Sequence, residues 1–115
     1  MANKTKDEIF MEEAIQLAER ASRMGEVPVG ALVVLRDKVI GAAANASIEN
    51  SDPTAHAEML AIKQACSHLG NYRLVGASLY VTIEPCTMCL GAMMHARISR
   101  LVFGALEAKS GAVVS

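Results

Sequence analysis

Apolar residues recur at helical spacing near the start of the chain. Phe10, Ala14, Leu17, Ala18 and Ala21 share one face of a helix over about 6–24. Thr5 followed by Glu8 is a capping-box start, and Gly25 supplies the stop. Two apolar runs come next, "PVGALVVL" (28–35) and "KVIGAAA" (38–44), flanking the polar pair Arg36-Asp37. They predict a β-hairpin. "NASIENSD" (45–52) reads as a loop. A second helix is predicted from about Ala55 to His68, with Thr54 as its N-cap and Gly70 closing it. "SLYVTI" (78–83) predicts a third strand, "CTMCLGAMMHA" (86–96) a third helix, and "RLVFGA" (100–105) a fourth strand.

The third and fourth strands each follow a helix. That order predicts a layered α/β domain with a mixed sheet: a hairpin of the first two strands and parallel pairing of the last two. No repeat, linker or low-complexity segment interrupts the chain, and 115 residues make one domain, 1–115. The last residues, "EAKSGAVVS", end on an apolar run without a closing helix. The fourth strand is then expected to be a bare sheet edge, covered by a further strand and helix or by a partner.

Composition adds three constraints. The chain is 52% hydrophobic, yet its only aromatic residues are Phe10, Tyr72, Tyr80 and Phe103. An aliphatic, methionine-filled core is expected. The formal net charge is −1, which excludes a global attraction to nucleic acid or acidic membranes and leaves only local basic patches. Three cysteines do not make a disulfide scaffold. The opening "MANKTKDEIF" lacks an apolar h-region, and no run approaches the ~20 residues of a membrane span. A soluble, cytoplasmic protein is expected.

The chemistry lies at two predicted helix starts. His56 and Glu58 are two residues apart, and at ~100° per residue they cannot both meet a ligand lying beside their helix. Helical Cβ atoms tilt toward the N-terminus, so both side chains can reach a point beyond the helix end. Cys86 and Cys89, after Pro85, repeat the logic with i, i+3 spacing on one face. A helix N-terminus favours thiolate, the metal-binding form. If the two helix starts converge, His56, Cys86 and Cys89 close on one Zn²⁺ and leave a fourth position for water, as in catalytic sites. Glu58 is then free to act as a base on that water. Two other readings stand beside this one. A redox C-x-x-C pair leaves His56 and Glu58 without a role. A structural zinc site needs a fourth protein ligand from Cys66, His68 or His95, of which the first two lie two to three turns past His56. Cys66 is expected to be a small buried hydrophobe. Met88, Met93 and Met94 are expected in core or subunit packing, and Glu84 at a solvated strand end.

"HAE" (56–58) with "PCTMC" (85–89) resembles the H-x-E…P-C-x-x-C pattern of the zinc-dependent cytidine/adenosine deaminase superfamily, whose mechanism is established. "EVPVGALVV", "DPTAHAE", "NYRL", "LYVTIEPCTMC" and "GAMMHARISRLVFGA" resemble the bacterial tRNA-specific adenosine deaminases over most of residues 26–105. Bacterial guanine deaminases share "DPTAHAE" and the PC-x-MC block. The resemblance implies a three-layer α/β/α cytidine-deaminase-like fold that continues into C-terminal elements missing here. It implies one Zn²⁺ per chain on His56, Cys86 and Cys89 with a bound water or hydroxide, and Glu58 as the catalytic proton shuttle. The implied reaction is hydrolytic deamination of adenosine to inosine at the wobble position of a tRNA anticodon. The alternative is a free nucleobase or nucleoside deaminase acting on guanine, then cytosine or adenine. Asn45 would hold the base or ribose, Val27 and Pro28 would wall the pocket, and the Ala57 N–H would donate to the zinc-bound oxygen. The resemblance also implies a homodimer with the active site near the subunit boundary and the third helix at the contact. Arg97, Arg100 and Lys109 are candidates for a phosphate-contacting strip.

Overall fold

The structure is a computed structural model that describes residues 3–105 and 111–113. Its elements run α1 (Lys6–Arg23), β1 (Gly30–Leu35), β2 (Lys38–Ala44), α2 (Ala57–Leu69), β3 (Ser78–Val81), α3 (Thr87–His95) and β4 (Arg100–Phe103). All seven predicted elements are present. The capping box forms as read: Thr5 Oγ1 accepts from the Glu8 N–H at 3.1 Å, and Glu8 accepts in return from the Thr5 N–H. Arg36 and Asp37 both take positive φ, 51° and 64°, as a two-residue hairpin turn demands. Lys6 Nζ donates to Asp37 at 2.8 Å and ties that turn to α1.

The sheet order is β2-β1-β3-β4. β1 runs antiparallel to β2 and β3, while β3 and β4 are parallel, with Ser78 opposite Arg100. Alternate residues of β1 face opposite layers. Leu32 and Val34 pack with Tyr80 against Ala14, Phe10 and Leu17 of α1. Ala31 and Val33 pack with Leu79 and Val81 against α2 and α3, at Ala57, Ala61, Ala65 and Met93. This is the three-layer α/β/α arrangement. The core differs from the expected one in its filling. Met93 is the one buried methionine among the described residues, and alanines take most of the helix contacts.

Those alanines follow from how closely the layers approach. A Cβ built on Gly30 would lie 2.0 Å from the Ala14 carbonyl oxygen, and one on Gly41 would lie 2.2 Å from that of Ala61. Both obstacles are helix backbone, which cannot swing aside. Gly41→Ala is therefore expected to cost roughly 3 kcal/mol or more by forcing α2 off the sheet. A lowered urea midpoint at unchanged slope checks this, and an unchanged midpoint would show that the layers can yield.

One polar cluster fastens α1 to the far strands. The buried Tyr80 hydroxyl donates to Asp7 Oδ1 at 2.6 Å, and the Arg100 guanidinium grips both oxygens of the same carboxylate. Arg100 and Tyr80 together hold the Asp7 carboxyl below its usual range.

Three boundaries shift in ways that matter. α2 begins at Ala57 with His56 as N-cap, rather than at Ala55 with Thr54 as cap. Asp52 accounts for the change: its Oδ1 accepts from both the N–H and the hydroxyl of Thr54, at 2.8 and 2.7 Å, and holds Thr54 in a turn. α3 begins at Thr87, so Cys86 is also an N-cap residue. β3 ends at Val81, and Thr82–Cys86 becomes a connection that pairs with the residues after β4. The Glu84 N–H donates to the Ala105 carbonyl, the Ala112 N–H donates to the Pro85 carbonyl, and Cys86 bridges to Gly111.

Candidate active site

Both helix starts open at one end of the sheet, beyond the last residue of β3. N-cap positions usually carry Ser, Thr, Asp or Asn, whose side chains satisfy the first free N–H groups. His56 and Cys86 occupy these positions and make no such bond. Their side chains turn toward each other instead. His56 Nδ1 lies 3.6 Å from Cys86 Sγ and 3.5 Å from Cys89 Sγ, and all three atoms fall within 4.8 Å of one another. Zinc–sulfur and zinc–nitrogen bonds of about 2.3 and 2.0 Å meeting at the tetrahedral angle would separate N and S by about 3.5 Å. The side chains thus fit one tetrahedral cation. Among the described residues this trio is the group that could hold a metal, and neither His68 nor His95 joins it. Cys66 does not join it either: it is half-buried rather than buried, and its thiol donates to the Tyr72 carbonyl at 3.7 Å.

Glu58 lies in the first turn of α2, buried beside the trio. Burial pushes its carboxyl above the ordinary value, against the pull of its own backbone N–H, the Cys89 thiol and His56. Burial likewise pushes the Cys89 thiol up, reinforced by Glu58 and Cys86. A carboxylate and two sulfurs crowded into a dry corner call for a cation, and a coordinated thiol is deprotonated outright.

A cavity of about 250 Å³ opens above the trio, and His56, Glu58 and Cys86 line it with Asn45 and Val27. The Asn45 backbone N–H donates to Val29, while its side chain is buried against the cavity. Val27 stands at the mouth. Pro28 is exposed and does not line the cavity; it sits in a tight turn in which the Val29 N–H donates to the Val27 carbonyl at 2.8 Å. Ala57 is buried as the first helical residue, so its N–H has no intrahelical partner.

Two buried acids at this cavity are absent from the sequence-based set. Glu84, expected at a solvated strand end, is 2% exposed and accepts from the Val113 N–H at 2.7 Å. Glu26 accepts from the Ile48 and Glu49 N–H groups at 3.1 and 2.8 Å. Neither lies in a periodic pattern that marks it as buried. The basic strip fares differently. Arg100 is committed to Asp7, and it and Arg97 lie at the end of the sheet away from the trio. Lys109 lies outside the described residues.

The profile of the cytidine and deoxycytidylate deaminase zinc-binding region matches residues 4–105. The chain belongs to this family. Membership makes zinc the cation that the trio fits. The chain is 52% identical over 110 residues to a tRNA-specific adenosine deaminase of Haemophilus influenzae, covering 95% of this chain and 64% of that protein. It is 49% identical over 107 residues to the one of Bacillus subtilis, covering 93% and 66%. The chain thus spans about two thirds of the length of these curated relatives. A solved structure from work on A-to-I editing by tRNA:A34 deaminases superimposes with a TM-score of 0.94 at 50% identity, covering 96% of this chain and 85% of that one. A guanine deaminase from Bacillus subtilis gives 0.83 at 40% identity, covering 86% and 64%. The three-layer fold is thereby shared.

Proposed function

We propose that the chain deaminates adenosine to inosine at the wobble position of a tRNA anticodon. The observation that carries this is Glu58 beside the His56–Cys86–Cys89 trio at the floor of a cavity. Relatives named tRNA-specific adenosine deaminases, near half identical over nearly the whole chain, support this choice of substrate.

The reaction replaces the C6 amino group of adenine with a water oxygen and releases ammonia. His56 Nδ1 and the two sulfurs would hold Zn²⁺, which supplies acidity, lowering the pKa of water from 15.7 toward about 7. Glu58 takes one proton from the attacking water as the C–O bond forms and delivers it to the ring nitrogen, then takes the remaining proton of the new C6 hydroxyl and hands it to the departing amine as the C–N bond breaks and the C6 carbonyl forms. One carboxylate serves as base and then as acid. The Ala57 N–H steadies the attacking oxygen. Asn45 holds the base or ribose, Val27 walls the mouth, and Pro28 shapes the turn that aims Val27. The base must leave its stack to enter, which an unpaired anticodon base does at low cost.

α3 supports a homodimer. It carries no Asp, Glu, Lys or Arg, buries only Cys89 and Met93, and leaves Met94 65% exposed. Gly91 has open space where a side chain would stand, which suits close approach of a second helix. No helix among the described residues is long and apolar enough to cross a membrane, and a tRNA substrate supports a cytoplasmic reading.

Incubation with an anticodon stem-loop bearing wobble adenosine is expected to yield inosine, with no turnover of guanine. Turnover of guanine without inosine would transfer the site to free bases.

A further inference from the structure

The wall of the cavity includes a carboxylate that the reaction does not use. Glu26 is 6% exposed and takes part in none of the ion pairs found among the described residues. Its two oxygens each accept one backbone N–H, Oε1 from Ile48 and Oε2 from Glu49. Those N–H groups begin a single tight turn. The Asn50 N–H donates back to the Ala46 carbonyl, and the Asp52 N–H donates to that of Ser47. The donors at 48 and 49 therefore have no partner within the turn, and Glu26 supplies it from the segment just after α1.

The consequence is geometric. Val27, the next residue, is 63% exposed, and Ile48 is 71% exposed. Both line the cavity. Large apolar side chains left in water at a cavity mouth mark a contact surface. The backbone bond from Asn45 to Val29 fixes the base of the two segments, and Glu26 fixes their tips. One carboxylate thus sets the distance between two apolar jaws.

We propose that Glu26 is a positioning residue that holds Val27 and Ile48 at the spacing of an unstacked nucleobase. On the adenosine-deaminase reading, this jaw grips a base delivered on a strand while Glu58 and the trio act below it. The arrangement predicts an effect on substrate capture rather than on the chemical step.

Glu26→Gln tests this in the full chain. The amide keeps one acceptor and turns its NH₂ toward the other N–H. KM for the wobble-adenosine stem-loop is expected to rise about tenfold or more, as for loss of a charge-assisted hydrogen bond. The expected kcat stays within about threefold, with one zinc per chain. Amide hydrogen exchange at Ile48 and Glu49 is expected to speed up while β1 and β3 keep their protection. Unchanged exchange at those two amides would overturn the proposal. So would a fall in kcat that follows zinc loss at constant KM. Absence of inosine from the unsubstituted chain would count against the deaminase reading alone, and exchange at Ile48 and Glu49 would still decide whether Glu26 holds the rim.

Discussion

Cys89→Ser is expected to remove zinc and deamination together. Cys89 is fully buried, and its sulfur lies 3.5 Å from His56 Nδ1. A serine oxygen sits closer to the backbone, is a harder donor, and does not ionise at neutral pH. Two ligands then remain where three are needed to keep the cation and one open position. Loss of a mere supporting partner around a metal ligand costs 10–100-fold in affinity or activity, so loss of a ligand should exceed that, to roughly 10³-fold or more in turnover. Metal analysis of the purified chain should fall from one zinc to a small fraction. Cys66→Ser is the matched control, because a serine hydroxyl can replace the thiol that donates to Tyr72, and it should keep both zinc and turnover. A Cys89→Ser chain that retained one zinc would place the metal on other residues.

How much of this was legible in the sequence depended on range. Elements followed from local periodicity, and the trio followed from spacing at two helix starts, since each start is a local feature. The hairpin turn at Arg36-Asp37 and the capping box at Thr5 were readable for the same reason. The N-cap of α2 was not. Thr54 is a fitting cap by type, but Asp52 captures its N–H and hydroxyl, and which acceptor wins is decided by the turn rather than by propensity. The shift places His56 itself at the cap, where its imidazole faces the cysteines.

The acids at the cavity were hidden for a different reason. Glu26 and Glu84 are satisfied by backbone N–H groups 22 or more residues away in sequence. A single chain of letters carries no mark of such pairing, and charge alone argues for exposure. The expected methionine core failed similarly: the approach of α1 to Gly30 and of α2 to Gly41 leaves room for alanine, a constraint visible only once helix and strand face each other. Arg100 looked available for phosphate because Asp7 lies 93 residues earlier.

Glu58→Gln is expected to keep the metal and lose the reaction. The amide has the shape of the carboxyl and leaves His56, Cys86 and Cys89 in place, so zinc should remain at one per chain and the melting temperature should hold. What it cannot do is take a proton from water and return it. Positioned acid–base groups contribute about 10²–10⁴ in rate, and Glu58 serves both halves of the transfer, so kcat should fall toward the upper end of that range with KM little changed. Burial favours this role, because a carboxyl raised above its ordinary value is a stronger base than a solvated one. Retention of more than about a tenth of turnover in a zinc-loaded Glu58→Gln chain would assign the proton elsewhere. The other carboxylates lining the cavity are Glu26 and Glu84. Both Glu26 oxygens accept backbone N–H groups, and Glu84 Oε2 accepts that of Val113. Each would have to release its hold on a distant segment of the chain to move a proton, whereas Glu58 bonds only within its own turn and to Cys89 of the trio.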